Sequence, residues 1–186
     1  MHLRLEDLAP LNLYRLTEPW AAFLKENCIV CMAAGGHSSG VRMNVDVGAS
    51  EAREVVVTWS GVLTPVIEAN YRDLRRRTDH GACAIALLLV PALTGYTMIA
   101  QSATGDGVDY YLIRDADDDL IFNGSARLEV SGIHRESDGN AVSDRLAEKR
   151  RRLQKIAKRS ASSIADPPTY VCIVEFGTPK AAMMLT

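Results

Sequence analysis

The segment GACAIALLLVPAL, residues 81–93, restricts the fold of this chain more than any other part of the sequence. It is almost entirely apolar, and it continues the helical pattern of TPVIEANYRDLRRRTDH, which begins at residue 64. A helix that is apolar all round must be buried, and this one contains Pro91 and is too short to cross a bilayer. We therefore expect an interrupted helical region whose second half packs against a β-sheet.

The composition is that of a globular protein with one domain. The chain has 186 residues, of which 47% are apolar and 24% are charged, which suits one domain with a substantial core. Its net charge of −2 does not attract nucleic acid to the whole molecule, so any such binding needs a local basic patch. The N-terminal MHLRLEDLAPLNLYRL has no signal-peptide pattern, and we expect a cytoplasmic protein without a membrane segment.

The four cysteines suit a reducing compartment. Cys28 and Cys31 form a C-x-x-C motif with His37 nearby, but a structural zinc site needs four ligands. Cys83 and Cys172 are isolated within apolar segments. Buried thiols are therefore favoured over zinc or redox chemistry.

The order of predicted elements indicates an α/β fold. In the N-terminal third, TEPWAAFLKENCIVCM predicts a helix with Thr17 as N-cap, and VRMNVDV and EVVVTWS predict a hairpin. Three strands (YTMIAQSA, VDYYLIR, ARLEVSGI) then follow the apolar helix, before a helix (AVSDRLAEKRRRLQKIAKRS) and a strand (YVCIVEF). We expect a single domain, 1–186, with a mixed sheet flanked by helices in a core at 64–180, on which an α+β extension, 1–63, packs.

Two carboxylates lie on neighbouring predicted strands. Asp109 opens its strand, and Glu129 lies within an apolar strand, on the face that Arg127 and Ser131 share. Such a pair suits a hard divalent cation, which would polarise a phosphate and lower the pKa of an attacking water. The alternative is that Asp109 caps a turn and Glu129 pairs with a neighbouring arginine.

GDGVDYYL and ARLEVSG, set in this order of elements, give the chain a resemblance to a known family. Residues 64–180 resemble the core of the PD-(D/E)XK nuclease superfamily, the restriction-endonuclease-like fold. The resemblance implies Mg²⁺ or Mn²⁺ held by Asp109, Glu129 and the backbone carbonyl of Val130. The family's catalytic lysine is replaced here by Ser131, whose hydroxyl supplies no charge. The two motifs are also similar to a group of uncharacterised bacterial proteins, which names no activity.

A relocated lysine is expected on the following helix. Lys149 falls within the apolar arc of that helix, whereas Arg151 and Lys155 point away from it. A lysine on a sheet-facing arc must either extend to solvent or meet a carboxylate, and Glu129 is the candidate partner. Gln154 is a weaker candidate for contacting substrate or water. The arc consists of Val142, Leu146, Leu153, Ile156 and Ala157.

The same helix is rich in basic residues. The candidates for nucleic-acid contact are Arg145, Arg150, Arg151, Arg152 and Lys155. The alternatives to nucleic-acid contact are a solvated helix face, basic residues that favour the C-terminal end of the helix dipole, and binding to the acidic surface of a protein partner.

The remaining polar candidates have simpler explanations. Asp79, and more weakly Glu68, would supply the extra carboxylate that some superfamily members have, but Asp79 also suits the first turn of a helix. The four aspartates within 115–119 predict a solvated hairpin turn, and neither His37 nor His80 has a catalytic partner in the sequence.

Two hypotheses follow from the sequence. The first is a nuclease that cleaves DNA or RNA with the two carboxylates and Lys149. The second is a catalytically inactive nuclease-like module that binds nucleic acid or serves as a subunit of an assembly, including a homo-oligomer.

Overall fold

A computed structural model describes most of the chain. It covers residues 1–9, 16–48, 51–103, 105, 107–114, 126–159 and 167–186, without the side chains of residues 51, 99 and 156–159. A short 3-10 helix spans Leu5–Leu8. The α-helices are α1 (Glu18–Ala34), α2 (Pro65–Asn70), α3 (Leu74–Thr94) and α4 (Val142–Arg159). The strands are β1 (His2–Arg4), β2 (Val41–Val47), β3 (Glu51–Thr58), β4 (Thr97–Gln101), β5 (Tyr110–Ile113), β6 (Ala126–Ile133), β7 (Thr169–Glu175) and β8 (Lys180–Leu185).

These strands form one mixed sheet with the order β1-β3-β2-β8-β7-β6-β5-β4. The pairs β6/β7, β2/β8 and β1/β3 are parallel, and the other neighbours are antiparallel. Helices flank both faces of the sheet. The fold is therefore α/β with a mixed sheet, as the sequence predicted.

The apolar helix lies where the sequence placed it. In α3 every residue from Gly81 to Val90 is buried, and the helix packs against α1 on one side and β6 and β7 on the other. The expected interruption separates α2 from α3, which begins after Asp73; the Asp73 carboxylate accepts a hydrogen bond of 3.0 Å from the backbone N–H of Arg76. The helix ends at Gly95, whose φ of 74° suits glycine.

Helix α4 covers the opposite face of the sheet. A second apolar cluster forms there from Val142, Leu146 and Leu153 of α4 against Val171 and Ile173 of β7. The described part of the expected apolar arc of α4 therefore faces the sheet. The side chains of residues 156 and 157, its last two members, are not among those described. Since α4 packs on β7 and β8, the same face of β2 and β3 is left open.

The sequence missed three elements, of which β8 matters most. The predicted core ends at residue 180, where β8 begins, and β8 lies between β7 and β2. The strands of residues 1–63 therefore extend the sheet of the core and do not cover it. The sequence of β8, KAAMML, gives a weak strand signal because alanine and lysine are depleted in strands. The other two elements that the sequence did not predict are the short β1 and the 3-10 helix.

None of the helices that the structure describes is long and apolar enough to cross a membrane.

Candidate functional site

Asp109 lies at the point where the ladder between β5 and β6 ends. Its backbone N–H donates to the Leu128 carbonyl at 2.9 Å, so it still pairs with β6. Its Oδ2 atom accepts a hydrogen bond of 2.7 Å from the backbone N–H of Val130. The carboxylate thus takes the position of a strand carbonyl and is fixed beside β6. The glycines before it, Gly105 and Gly107, have φ values of 110° and 79°, which only glycine adopts readily.

Glu129 is buried on the α4 face of β6. Its neighbours Leu128 and Val130 belong to the core cluster on the α3 side, and Ile133 packs in the α4 cluster. Strand alternation therefore turns Glu129 and Ser131 toward α4. This is the shared face that the sequence predicted.

Lys149 of α4 reaches the Glu129 carboxylate. Its Nζ atom donates to Glu129 Oε1, and both side chains are largely buried. Arg152, one turn closer to the end of α4, places its Nη1 atom 3.7 Å from the same oxygen. The lysine on the apolar arc therefore meets a carboxylate instead of extending to solvent.

Ser131 also has a partner on α4. Arg145 Nη1 donates to Ser131 Oγ at 3.0 Å, and Arg145 Nε donates to Asn140 Oδ1 at 3.0 Å. The residue that stands where the motif would carry a lysine is therefore hydrogen-bonded to an arginine from α4. Asn140 was not singled out in the sequence, because nothing in its spacing links it to β6.

Asp79 approaches the same region from α3. Its Oδ1 atom accepts a long hydrogen bond, 3.4 Å, from the backbone N–H of Gly132. A Cβ atom at Gly132 would lie 2.3 Å from the Thr78 carbonyl oxygen, so α3 rests directly on β6 only because residue 132 is glycine. The alternative explanation of Asp79 as a first-turn acid is wrong, since α3 begins at Leu74 and places Asp79 in its second turn.

Two adjoining cavities meet at Asp109 and Lys149, which line both of them. The larger, of about 650 Å³, runs between α3 and α4 past Ser131, Asn140 and Arg145. The smaller, of about 340 Å³, lies beside the two glycines that precede Asp109, and Glu129 and Arg152 also line it. Volumes of this order suit small ligands or parts of larger ones.

The carboxylates of the site are held in an environment that disfavours their charge. Burial raises the pKa of Asp109, and the nearby Asp79 adds to the rise, while the Val130 N–H and Lys149 oppose it. Burial likewise raises the pKa of Glu129; the Lys149 hydrogen bond opposes this rise, and the charge of Asp109 adds to it. A cation bound between these two desolvated carboxylates would reduce their mutual repulsion.

The donor atoms fit a hard divalent cation with few protein ligands. Within a strand the N–H and C=O of one residue point to the same edge, so the Val130 carbonyl faces the edge where its N–H meets Asp109. Two carboxylates and a carbonyl are oxygen donors, and Mg²⁺ is usually bound by one or two carboxylates with water completing its shell. Among the described residues no group of three or more His, Cys, Asp or Glu side chains could hold a metal ion.

The basic residues of α4 divide into two groups. Arg145 and the exposed Arg152 line the cavities, whereas Arg150, Arg151 and Lys155 are exposed and line neither. Gln154 is exposed too, and it lines neither cavity. Glu68 is exposed on α2, likewise away from both cavities. The predicted acidic turn at 115–119 lies outside the described residues.

The four cysteines, His37 and His80 contact groups of the protein interior or its backbone. All four cysteines are buried free thiols, and burial raises the pKa of Cys83 to about 12. His37 Nε2 lies 3.0 Å from the Gly177 carbonyl oxygen, and His80 packs edge-on against Trp20 and Phe23.

Comparisons with protein-family models, with curated proteins and with solved structures found no significant match to this chain.

Proposed function

We propose that this chain is a metal-dependent phosphodiesterase that cleaves DNA or RNA, with a restriction-endonuclease-like core of PD-(D/E)XK type. The observation that carries the proposal is the convergence of Asp109, Glu129 and Lys149 at the junction of two cavities. Helix α3, strands β4 to β6, helix α4 and strand β7 supply the order of elements that the resemblance implies.

The two carboxylates and the Val130 carbonyl would hold Mg²⁺ or Mn²⁺. When bound, such an ion polarises a phosphoryl oxygen and lowers the pKa of an attacking water. The chain's own part is orientation: the Val130 N–H fixes the Asp109 carboxylate, and β6 presents Glu129 beside it. Burial of both groups excludes water from their charges and strengthens their attraction for a cation.

Lys149 supplies the positive charge that Ser131 lacks. It pairs with Glu129 and lines both cavities, so its ammonium can reach an anion on either side of the junction. The exposed basic residues of α4, Arg150, Arg151 and Lys155, would contact backbone phosphates outside the cavities.

A cleavage assay tests the proposal. Purified protein with Mn²⁺ is incubated with fluorescently labelled single- and double-stranded DNA and RNA. Asp109→Asn keeps an oxygen acceptor for the Val130 N–H but removes the charge, and it should lower the cleavage rate by at least about 100-fold. Asp46→Asn, at an exposed aspartate of β2, should cleave like the wild type. Equal cleavage by Asp109→Asn and wild type would refute the proposal, as would the absence of cleavage on all four substrates.

A silent module that binds nucleic acid or a protein partner is the second candidate. It is favoured by one observation: Glu129 is paired with two cations of the chain itself, Lys149 and Arg152. In such a protein the wild type and Asp109→Asn would bind labelled nucleic acid equally, and neither would cleave it.

A further inference from the structure

Arg145 differs from the other cations of the site in what holds it. Lys149 and Arg152 reach the Glu129 carboxylate, whereas Arg145 donates to two uncharged oxygens, Ser131 Oγ and Asn140 Oδ1. Among the described residues no carboxylate lies within salt-bridge distance of Arg145. Its positive charge is therefore held in place but not neutralised.

The guanidinium of Arg145 has donors to spare. Of its five N–H groups, Nε uses one on Asn140 and Nη1 uses one on Ser131. The remaining donors belong to a half-buried side chain that lines the larger cavity. A fixed guanidinium with free N–H groups matches two oxygens of a phosphate at once, which a lysine ammonium does not.

Arg145 and Lys149 share one side of α4. They are four residues apart, so their side chains lie one helical turn from each other, and both line the larger cavity. An anion in that cavity next to Asp109 would therefore lie beside Lys149 on one side and Arg145 on the other. The Arg145 guanidinium is bound to the side chain of the residue at which the motif lysine is missing.

We propose that Arg145 binds the phosphodiester that is cleaved and, together with Lys149, takes the place of the missing motif lysine, with Ser131 and Asn140 as its positioning residues. This inference rests on the proposed function where it names the anion. A serine at residue 131 is then the acceptor that holds the arginine, while Lys149 pairs with Glu129 and lines the same cavity.

Steady-state kinetics with Mn²⁺ test the role on any nucleic acid that the wild type cleaves. Arg145→Ala should lower kcat by about 100-fold or more while KM changes much less, because the lost charge acts on the developing negative charge of the transition state. Added guanidinium ion should restore part of the rate to Arg145→Ala and none to Lys149→Ala. Arg42→Ala, an exposed arginine on β2, is the matched control and should keep the wild-type kcat.

A second measurement separates failure of this inference from failure of the nuclease proposal. Inorganic phosphate is titrated into the metal-free protein by calorimetry. The wild type should bind it, and Arg145→Ala should bind at least about tenfold more weakly, since charge-assisted hydrogen bonds are lost. If the wild type cleaves nothing but shows this difference, the nuclease proposal fails and the anion site stands.

Three results would overturn the inference: phosphate binding by Arg145→Ala that equals the wild type, no phosphate binding by the wild type, or a wild-type kcat for Arg145→Ala. Thermal midpoints of all variants show whether each one folds. Should Arg145→Ala not fold, Arg145→Lys keeps the charge without the planar fork, and its kcat should still fall.

Discussion

Two ion pairs on the same face of the sheet experience very different surroundings. Arg42 and Glu54 join β2 to β3, with an N–O distance of 3.2 Å and side chains that are 76% and 51% exposed. Lys149 and Glu129 join α4 to β6, and their side chains are 18% and 5% exposed. The difference arises because α4 packs on β7 and β8, from where Lys149 reaches over Glu129 on β6, and leaves β2 and β3 open.

The comparison contrasts an ion pair that costs little free energy with one whose burial is costly. An exposed pair contributes about 0–1 kcal/mol, so its presence requires no explanation. A buried pair loses hydration that its attraction seldom recovers, and apolar residues of similar volume often give equal or greater stability. The proposed function would account for a pair that folding does not favour.

The largest effect on stability is expected when one member of the buried pair is removed. Lys149→Met leaves Glu129 buried with only the more distant Arg152, and the free energy of unfolding should fall by about 3 kcal/mol at pH 8. The loss should be smaller at pH 5. Without Lys149 the pKa of Glu129 rises further above its unfolded value, and the folded state is stabilised by taking up a proton as the pH falls. Urea denaturation at the two pH values measures both effects. A loss below about 1 kcal/mol at pH 8 would mean that the buried pair contributes no more to stability than an exposed pair does.

Removing both charges should reverse most of that loss. The double variant Glu129→Leu with Lys149→Met should unfold within about 1 kcal/mol of the wild type, or above it, because neither charge of the pair is left buried without its partner. It should show no cleavage. A double variant as unstable as Lys149→Met alone would mean that the pair is needed for folding and would remove the contrast with Arg42 and Glu54.

A smaller effect of opposite sign is expected at Asp109. Asp109→Asn should raise the free energy of unfolding at pH 7 by about 0.5–2 kcal/mol, since the charge is costly to bury and the amide oxygen still accepts from the Val130 N–H. Burial raises the pKa of Asp109 above its unfolded value, so the wild type loses stability as the pH rises through that interval. The increase in the free energy of unfolding caused by Asp109→Asn, measured by urea titration, should therefore be smaller at pH 4 than at pH 7. A destabilised Asp109→Asn would show that the carboxylate serves folding.

The smallest effect is expected on the open half of the sheet. Arg42→Ala and Glu54→Ala should each change the free energy of unfolding by less than about 0.5 kcal/mol, because water solvates whichever charge is left. The same urea titrations at low and high salt serve as the measurement. A change above 1 kcal/mol in either variant would mean that exposure does not distinguish the two pairs.

The parts of the site that the sequence predicted depend on local periodicity. Strand alternation puts Glu129 and Ser131 on one face, and the helical repeat puts Lys149 on the buried arc of α4. The contacts of Arg145 with Ser131 and Asn140 depend on how α4, packed on β7 and β8, lies relative to β6, which no spacing in the sequence states. The insertion of β8 between β7 and β2 is equally non-local, and its alanine-rich sequence carries little strand signal.

Calorimetric titration with Mn²⁺ tests most directly whether Asp109 and Glu129 form a metal site. The wild type should bind one Mn²⁺ per chain, Asp109→Asn should lose this binding, and Asp46→Asn on the open half of the sheet should keep it. A wild type that binds no Mn²⁺, or an Asp109→Asn variant that binds it with unchanged affinity, would contradict the assignment of these carboxylates to a metal-dependent reaction.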